Sequence, residues 1–358
     1  MADSVGTAGL PSVISTLLLR TSSQRMDLIN KTLFLGSPLM RELAKGGAMK
    51  KLMSDTIRID GTKAAVTTWV EDVVAAGTVT DSLAADFRSN LLIRHYVPAM
   101  VNSSMALHAR ELMLNTGEAS IIDYLAEVSG QQARAIAAKV NGMVLSGYTA
   151  TAGTAPSVAG LKTQIPFAAH VSSAKTVAAT DHGGLFEADS TLLVPKRLVG
   201  QTITSATIIG LIRQMALGLT GDGRVKPTFG LSTQSAFLDL AAAMDGKFQI
   251  QNMKNIDAGI ESIRIGSVDI ICEGALDDVT IKSAVGDADT IYFLSPEAVN
   301  FFTASGASSG FDAGSLFKDS GNVITSATSV NHAVQARMFG QLVVVEPRSV
   351  GLLSTASS

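Results

Sequence analysis

A serine flanked by glycines is the first feature of this sequence that suggests chemistry. Gly306-Ala307-Ser308-Ser309-Gly310 matches the GxSxG elbow, in which a strained turn between a strand and a helix exposes a nucleophilic serine. The flanking pattern does not supply that setting. Ser295-Pro296 reads as the N-cap and first residue of a helix over 296–303, and a Gly-rich loop follows. Gly221-Asp222-Gly223-Arg224-Val225-Lys226 begins like a dinucleotide-binding fingerprint, but Lys226 stands where the third glycine belongs and a helix precedes it. Both segments are read as loops or turns. The five histidines, His95, His108, His170, His182 and His332, show no metal-ligand spacing. Asp277-Asp278 and Asp287/Asp289 lack the spacing and glycine of a calcium loop. Cys272 lies in the apolar run Val268-Asp269-Ile270-Ile271-Cys272, the setting of a strand residue and not of a nucleophile. The sequence therefore predicts no catalytic residue, no cofactor site and no metal site.

The charges say more through their placement than through their sum. The net charge is -3, yet residues 1–53 carry seven basic and three acidic side chains, a net of +4, and the remaining 305 residues carry -7. The basic set is Arg20, Arg25, Lys31, Arg41, Lys45, Lys50 and Lys51. A basic arm on an acidic body suits nucleic acid or an acidic partner. Charged residues make up 16% of the chain against about 25% in ordinary soluble domains. Hydrophobic residues make up 46%, enough for large cores. A surface mostly hidden in contacts between copies needs few charges, so composition favours an assembly. The stretch 11–19 is too short and too polar for a signal peptide. No run reaches the ~18 apolar residues of a membrane span. With a single cysteine there is no internal disulfide. The expectation is a soluble protein made in a reducing cytoplasm.

The elements follow from hydrophobic period and punctuation. Residues 1–53 form an arm with short helical stretches. Thr56-Ile57-Arg58-Ile59-Asp60 alternates as a strand, 66–70 is β-branched and aromatic, and 91–97 returns as a strand. Together they predict a long hairpin over 54–97, which by itself buries too little surface to be stable and needs a support such as a neighbouring subunit. Ile121, Leu125, Val128, Ile136, Val140 and Met143 form one stripe of a helix over 118–146, about 43 Å long and stopped by Gly147. Ser129-Gly130 marks a point where a bend in that helix is expected. Beyond residue 200, helices are expected at 205–219 and 233–244. Strands are expected at 228–231, on both sides of Gly266-Ser267, at 290–294, at 341–346 and at 350–353. The fold class is α+β.

This order of elements resembles the major capsid proteins of tailed bacteriophages, with the Hong Kong 97-like fold. The resemblance spans nearly the whole chain and rests on architecture and weak local patterns. Thr68-Trp69-Val70-Glu71-Asp72 is similar to a stretch on the ascending strand of that family's extended E-loop. Residues 121–137 resemble its spine helix, and Pro156-Ser157-Val158-Ala159-Gly160-Leu161 resembles the segment after it. Ser232-Thr233-Gln234-Ser235-Ala236-Phe237, the turn Asp245-Gly246, and Gly266-Ser267-Val268-Asp269-Ile270-Ile271 resemble parts of its axial domain. Phe339-Gly340-Gln341-Leu342-Val343-Val344-Val345 resembles its closing strand.

The resemblance implies an N-terminal arm at 1–53, an E-loop hairpin at 54–97 and a peripheral domain at 98–200 that includes the spine helix. It further implies an axial domain at 201–335 and C-terminal strands at 336–358 returning to the peripheral domain. It implies a non-enzymatic shell subunit forming hexamers and pentamers around double-stranded DNA in a virion assembled in the host cytoplasm. The implied partners are a separate scaffolding protein, a portal and a decoration or cement protein, with no membrane. In that frame the seven basic side chains of the arm face DNA or scaffold, and Trp69, Glu71, Asp72, Asp81, Phe87 and Arg88 touch the adjacent subunit. The stretch 73–87 has no lysine, which argues against covalent cross-linking through the loop. The alternatives are an encapsulin-like nanocompartment shell, which has the same fold, and a cytoplasmic α+β hydrolase using Ser308.

Overall fold

A computed structural model of the chain describes residues 22–52, 57–62, 91–96, 98–108, 118–147, 159–165, 193–220, 225–244, 262–277, 289–303, 318–319, 324–325 and 331–355. These residues fall into two compact units. One comprises 1–52, 99–142 and 302–340; the other comprises 53–98, 143–301 and 341–358.

In the first unit, α1 (Ser22–Gly36) and α2 (Pro38–Lys45) meet at Ser37. Ser37 has extended backbone and its hydroxyl accepts the Met40 amide at 3.4 Å, while Pro38 opens α2 with φ already set. The same hydroxyl donates to Asn141 Oδ1 at 2.9 Å, and Asn141 Nδ2 donates to the Gly36 carbonyl at 3.3 Å. Asn141 belongs to α3 (Glu118–Ser146), whose stripe Ser129, Gln132, Ala133, Ile136, Ala137, Val140 is buried while Gln131, Arg134 and Lys139 are exposed. Helix α3 runs unbroken through Ser129-Gly130 and ends where Gly147 turns to φ 81, as its sequence predicts.

The sheet of this unit has the order β1 (Met49–Lys51), β10 (Val299–Thr303), β13 (Asn331–Val344), β11 (Lys318–Asp319). Strands β4 (Ala99–His108) and β12 (Ile324–Thr325) also pair with β13. The β4–β13 ladder matches ten residues against ten, from Asn331 opposite His108 to Gly340 opposite Ala99. Strand β13 thus begins ten residues before the expected 341.

The second unit carries a sheet ordered β5 (Lys196–Leu198), β14 (Gly351–Ser354), β9 (Thr290–Leu294), β6 (Phe229–Ser232), β8 (Val268–Cys272), β7 (Ser262–Ile265). Helices α5 (Ile208–Leu219) and α6 (Gln234–Met244) cover one face of it. A short α4 (Leu161–Gln164) precedes them. Ile208, Ile212, Met215 and Leu219 from α5 join Phe237 and Leu240 from α6 over Val268, Ile270, Ile291, Phe293 and Leu353 of the sheet. A two-stranded hairpin, β2 (Ile57–Thr62) with β3 (Leu91–Tyr96), completes the unit.

One expectation needs correction. Residues 296–303 are not a helix. The Ser295 carbonyl accepts both the Ala298 and the Val299 amides at 3.0 Å, closing a turn, and β10 follows with Val299, Phe301 and Thr303 buried in alternation. Period-2 burial of a β-branched and aromatic run overrides the Ser-Pro start signal. One ground for dismissing an elbow at Ser308 thereby falls, since a strand precedes it; residues 304–317 lie outside the described set. Strand β14 belongs to the second unit. It sits between β5 and β9, parallel to the first and antiparallel to the second. Residues 302–340 group with 1–52 and 99–142.

Helix α5 rests directly on β14. A Cβ on Gly351 would lie 2.8 Å from Leu219 Cδ1 and 3.0 Å from Met215 Sδ. Gly351→Val should therefore destabilise the fold by about 1–3 kcal/mol through overpacking, read as a lower urea midpoint at unchanged slope. A midpoint equal to wild type would mean that α5 and β14 are not packed this closely.

Candidate assembly surfaces

The seven basic side chains proposed from the arm do not share one environment. Arg20 lies outside the described residues, and Arg25 falls on α1 with its side chain likewise outside them. Lys31 is exposed on α1, and Lys50 and Lys51 are exposed on β1. Lys45, at the end of α2, is exposed and reaches Glu42 Oε1 at 3.1 Å. Arg41 is buried, at 3% exposure, with its Nε 3.5 Å from Glu42 Oε1, and no described residue accepts a hydrogen bond from its Nε or Nη2. Its burial sets Arg41 apart from the exposed cations of the arm. Among the described strands β1 lies at the edge of its sheet, and it carries Lys50 and Lys51. Two lysines on a three-residue edge discourage unwanted strand pairing.

The hairpin has its root at the residues that alternate in the sequence. Ile57 pairs with Tyr96, Ile59 with Arg94 and Thr62 with Leu91. Ile57, Tyr96 and Arg94 are buried, while Arg58 and His95 on the opposite face are exposed. Trp69, Glu71, Asp72, Asp81, Phe87 and Arg88 all lie outside the described residues.

Arg94, which the sequence reading does not single out, holds the root in place. At 4% exposure it donates Nη1 to the Val344 carbonyl at 3.0 Å and Nη2 to the Val345 carbonyl at 2.5 Å. These charge-assisted bonds fork onto two successive carbonyls at the end of β13. The signal is present in the alternation, since Arg94 shares the face of Tyr96 and stands opposite Ile59. An arginine on the apolar side of a strand needs a buried acceptor.

The same stretch of β13 is held by amides. Gln164 Oε1 accepts the Val344 amide at 2.8 Å and its Nε2 donates to the Leu342 carbonyl at 2.9 Å, so one side chain imitates a neighbouring strand. Gln341 Nε2 donates to the Ala159 carbonyl at 2.8 Å. Gly160, next along, leaves no room for a side chain, because a Cβ there would sit 2.1 Å from the Gly147 nitrogen. Lys162 on α4 is half-buried, and desolvation lowers its pKa to about 8.

Among the described residues no three His, Cys, Asp or Glu side chains gather as a metal site. No described helix is long and apolar enough to cross a membrane. Cys272 is a half-buried thiol on β8 outside any disulfide. Tyr292, buried at the middle of β9, has its hydroxyl pKa pushed above the usual phenol range by desolvation.

Arg94→Met should preserve the stem's volume but remove both hydrogen bonds to the carbonyls. We expect a loss of about 3 kcal/mol, with faster amide exchange in 57–62 and 91–96 than in 229–232. Equal protection changes in both segments would show that Arg94 serves the whole unit and not the hairpin.

No protein-family model matches the chain, and no curated protein matches its sequence. Solved structures do match in three dimensions. The chain is similar to the Cyanophage A-1(L) capsid subunit with a TM-score of 0.61 at 10% identity, over 90% of this chain and 94% of that one. It is similar to the holo-SrpI encapsulin complex from Synechococcus elongatus PCC 7942 with a TM-score of 0.52 at 9% identity, over 89% of this chain and 87% of that one. At such identities the shared property is the path of the backbone, and by that path the chain has the α+β Hong Kong 97-like fold found in phage capsids and encapsulins.

Proposed function

We propose that this chain is the major capsid protein of a tailed phage, a structural subunit that assembles into the icosahedral head around double-stranded DNA. The observation that carries the proposal is the likeness to the Cyanophage A-1(L) capsid along nine-tenths of the chain. The low charge content supports it, because surface covered by neighbouring copies needs few charges. In this reading the subunits form hexamers and pentamers with the help of a scaffolding protein, and a portal and cement protein complete the head. The protein works in the virion after assembly in the host cytoplasm, and it catalyses nothing. Residues 54–97 form the E-loop reaching a neighbour, and residues 193–301 with 341–355 form the axial domain.

The second reading is an encapsulin-like nanocompartment, favoured by the likeness to the Synechococcus shell. The contents of the particle separate the two. A phage shell protects DNA from nuclease; a nanocompartment holds a cargo protein and no genome.

Expressed with its scaffold, the chain should give closed shells by negative-stain microscopy. A protein that sediments as a monomer at every salt concentration, with and without scaffold, would overturn both shell readings.

The accessible lysines of the arm are proposed to meet packaged DNA through phosphates without base readout. A Lys31→Gln, Lys50→Gln, Lys51→Gln triple variant should then still form shells but retain DNA less well. The salt dependence of retention should become shallower, by up to about 0.9 in log–log slope for each phosphate that is no longer neutralised. Failure to form shells would instead make the arm an assembly clamp, and unchanged retention would remove the DNA role.

A further inference from the structure

Helices α5 and α6 lie side by side on one face of their sheet, and their outward surface is unlike that of a solvated helix pair. The outward residues are Gly210, Arg213, Gln214 and Leu217 on α5, and Gln234, Ser235, Leu238 and Ala242 on α6. Leu217 is 73% exposed and Leu238 is 60% exposed. In the two helices only Arg213 and Asp239 are charged. A helix that faces water normally carries charged and polar residues opposite its apolar stripe. Here both inner stripes are already satisfied, with Ile208, Ile212, Met215 and Leu219 packed against Ala236, Phe237, Leu240 and Ala243. The outer leucines are therefore surplus to this chain's own core.

We infer that the outward face of α5 and α6 is a contact between neighbouring copies of this chain, α5 of one copy against α6 of the next. The charges select that pairing. The single charge of α5 is the exposed cation Arg213, and the single charge of α6 is the half-buried anion Asp239. Among the described residues no ion pair joins the two within one chain. Helix α5 against another α5 brings two cations together, and α6 against α6 brings two anions together. Helix α5 against α6 opposes the cation to the anion, with Leu217 and Leu238 between them and the small residues Gly210, Ser235 and Ala242 permitting close approach. A contact of this head-to-tail kind propagates from copy to copy and closes into a ring when its rotation divides a full turn. A two-fold stacking would balance the charges too, but it ends at two copies. The choice of a ring rests on the shell function proposed above.

Size sets what the contact can do. Two adjacent helices of twelve and eleven residues offer a face about 17 Å long and roughly 20 Å wide. That is about 340 Å² per copy, less than half of the roughly 800 Å² per partner of a standard stable interface. The face does not hold two copies together unaided. It contributes to ring closure where other contacts already bring the copies together.

The test uses the full chain under conditions in which the wild type forms shells. Leu217→Glu and Leu238→Glu should each leave the thermal melt of the unassembled subunit unchanged and lower the yield of closed shells roughly tenfold or more. Arg213→Asp and Asp239→Arg should each lower the yield, and the double variant should restore it, because every contact again opposes unlike charges. Restoration is not expected of residues with a merely local structural role. Single variants that all assemble like wild type, or a double variant no better than the singles, would overturn the inference and leave the shell reading standing. Normal shells that fail to bind a second protein would also overturn it, by assigning the face to that protein. A wild type that forms no particles would defeat the shell reading, and this inference with it.

Discussion

The structure of the second unit depends on the return of residues 341–354. Strand β14 comes from the end of the chain and lies between β5, which begins at 196, and β9, which begins at 290. Without it those two strands have no partner in common, and the sheet splits. Helix α5 loses its floor as well, since Met215 and Leu219 pack onto Gly351. Just before β14, the backbone of 342–345 receives Gln164 from α4 and Arg94 from the hairpin. Sheet, helix layer, α4 and hairpin root all converge on one segment, residues 341–354. Contacts of this sequence separation are slow to form, because the entropy of loop closure is spent before they stabilise anything.

Polar side chains do much of the fastening, and they do so through main-chain groups. Gln164 satisfies one amide and one carbonyl of β13, Asn141 and Ser37 join the α1–α2 corner to α3, and Asp277 accepts the first amide of α6 at 2.6 Å. A side chain that bonds to backbone sets direction as well as distance, because the carbonyl and amide vectors are fixed by the strand or helix they belong to. Arg94 is the costliest such case. Burying a guanidinium is unfavourable unless its hydrogens are accepted, and the two carbonyls it meets lie past the end of the β4–β13 ladder, with no β4 residue opposite them. The cation and the two acceptors therefore need one another.

How much of this is legible in the sequence depends on how local the cause is. Helix α3 is readable at 118–146 because its apolar stripe recurs every three to four residues and Gly147 ends it. Strand β9 and the turn at Gly266-Ser267 are equally local. The β4–β13 ladder is not legible from residue 331 onward, because Asn102-Ser103-Ser104 and Gln335-Ala336-Arg337 have weak strand preference. Their conformation comes from pairing with each other across more than two hundred residues. Residues 296–303 mislead because Ser-Pro suits a turn as well as a helix start. The destination of β14 leaves no trace in its own four residues. At the candidate surfaces, charge is visible in the sequence and burial is not: Arg41 and Lys31 look alike there, yet one lies inside and the other outside.

A chain with these properties is finished as a fold and unfinished as a surface. Its cores are dense, with Phe293, Phe301, Leu39 and Ile136 fully enclosed. Yet Leu35, Leu217 and Leu238 remain at least 60% exposed on helices whose inner faces are already filled. Single exposed leucines are ordinary in soluble proteins. Their weight here comes from the setting, because the usual remedy of surrounding charge is scarce in a chain with only 16% charged residues. Under the proposed shell function, burial of these apolar groups between copies would supply a driving force that no single subunit can realise alone. The Hong Kong 97-like architecture and the sparse charge thus bear on the same point from independent directions. One describes how the backbone runs, and the other describes what a neighbour would offer under the proposed shell function.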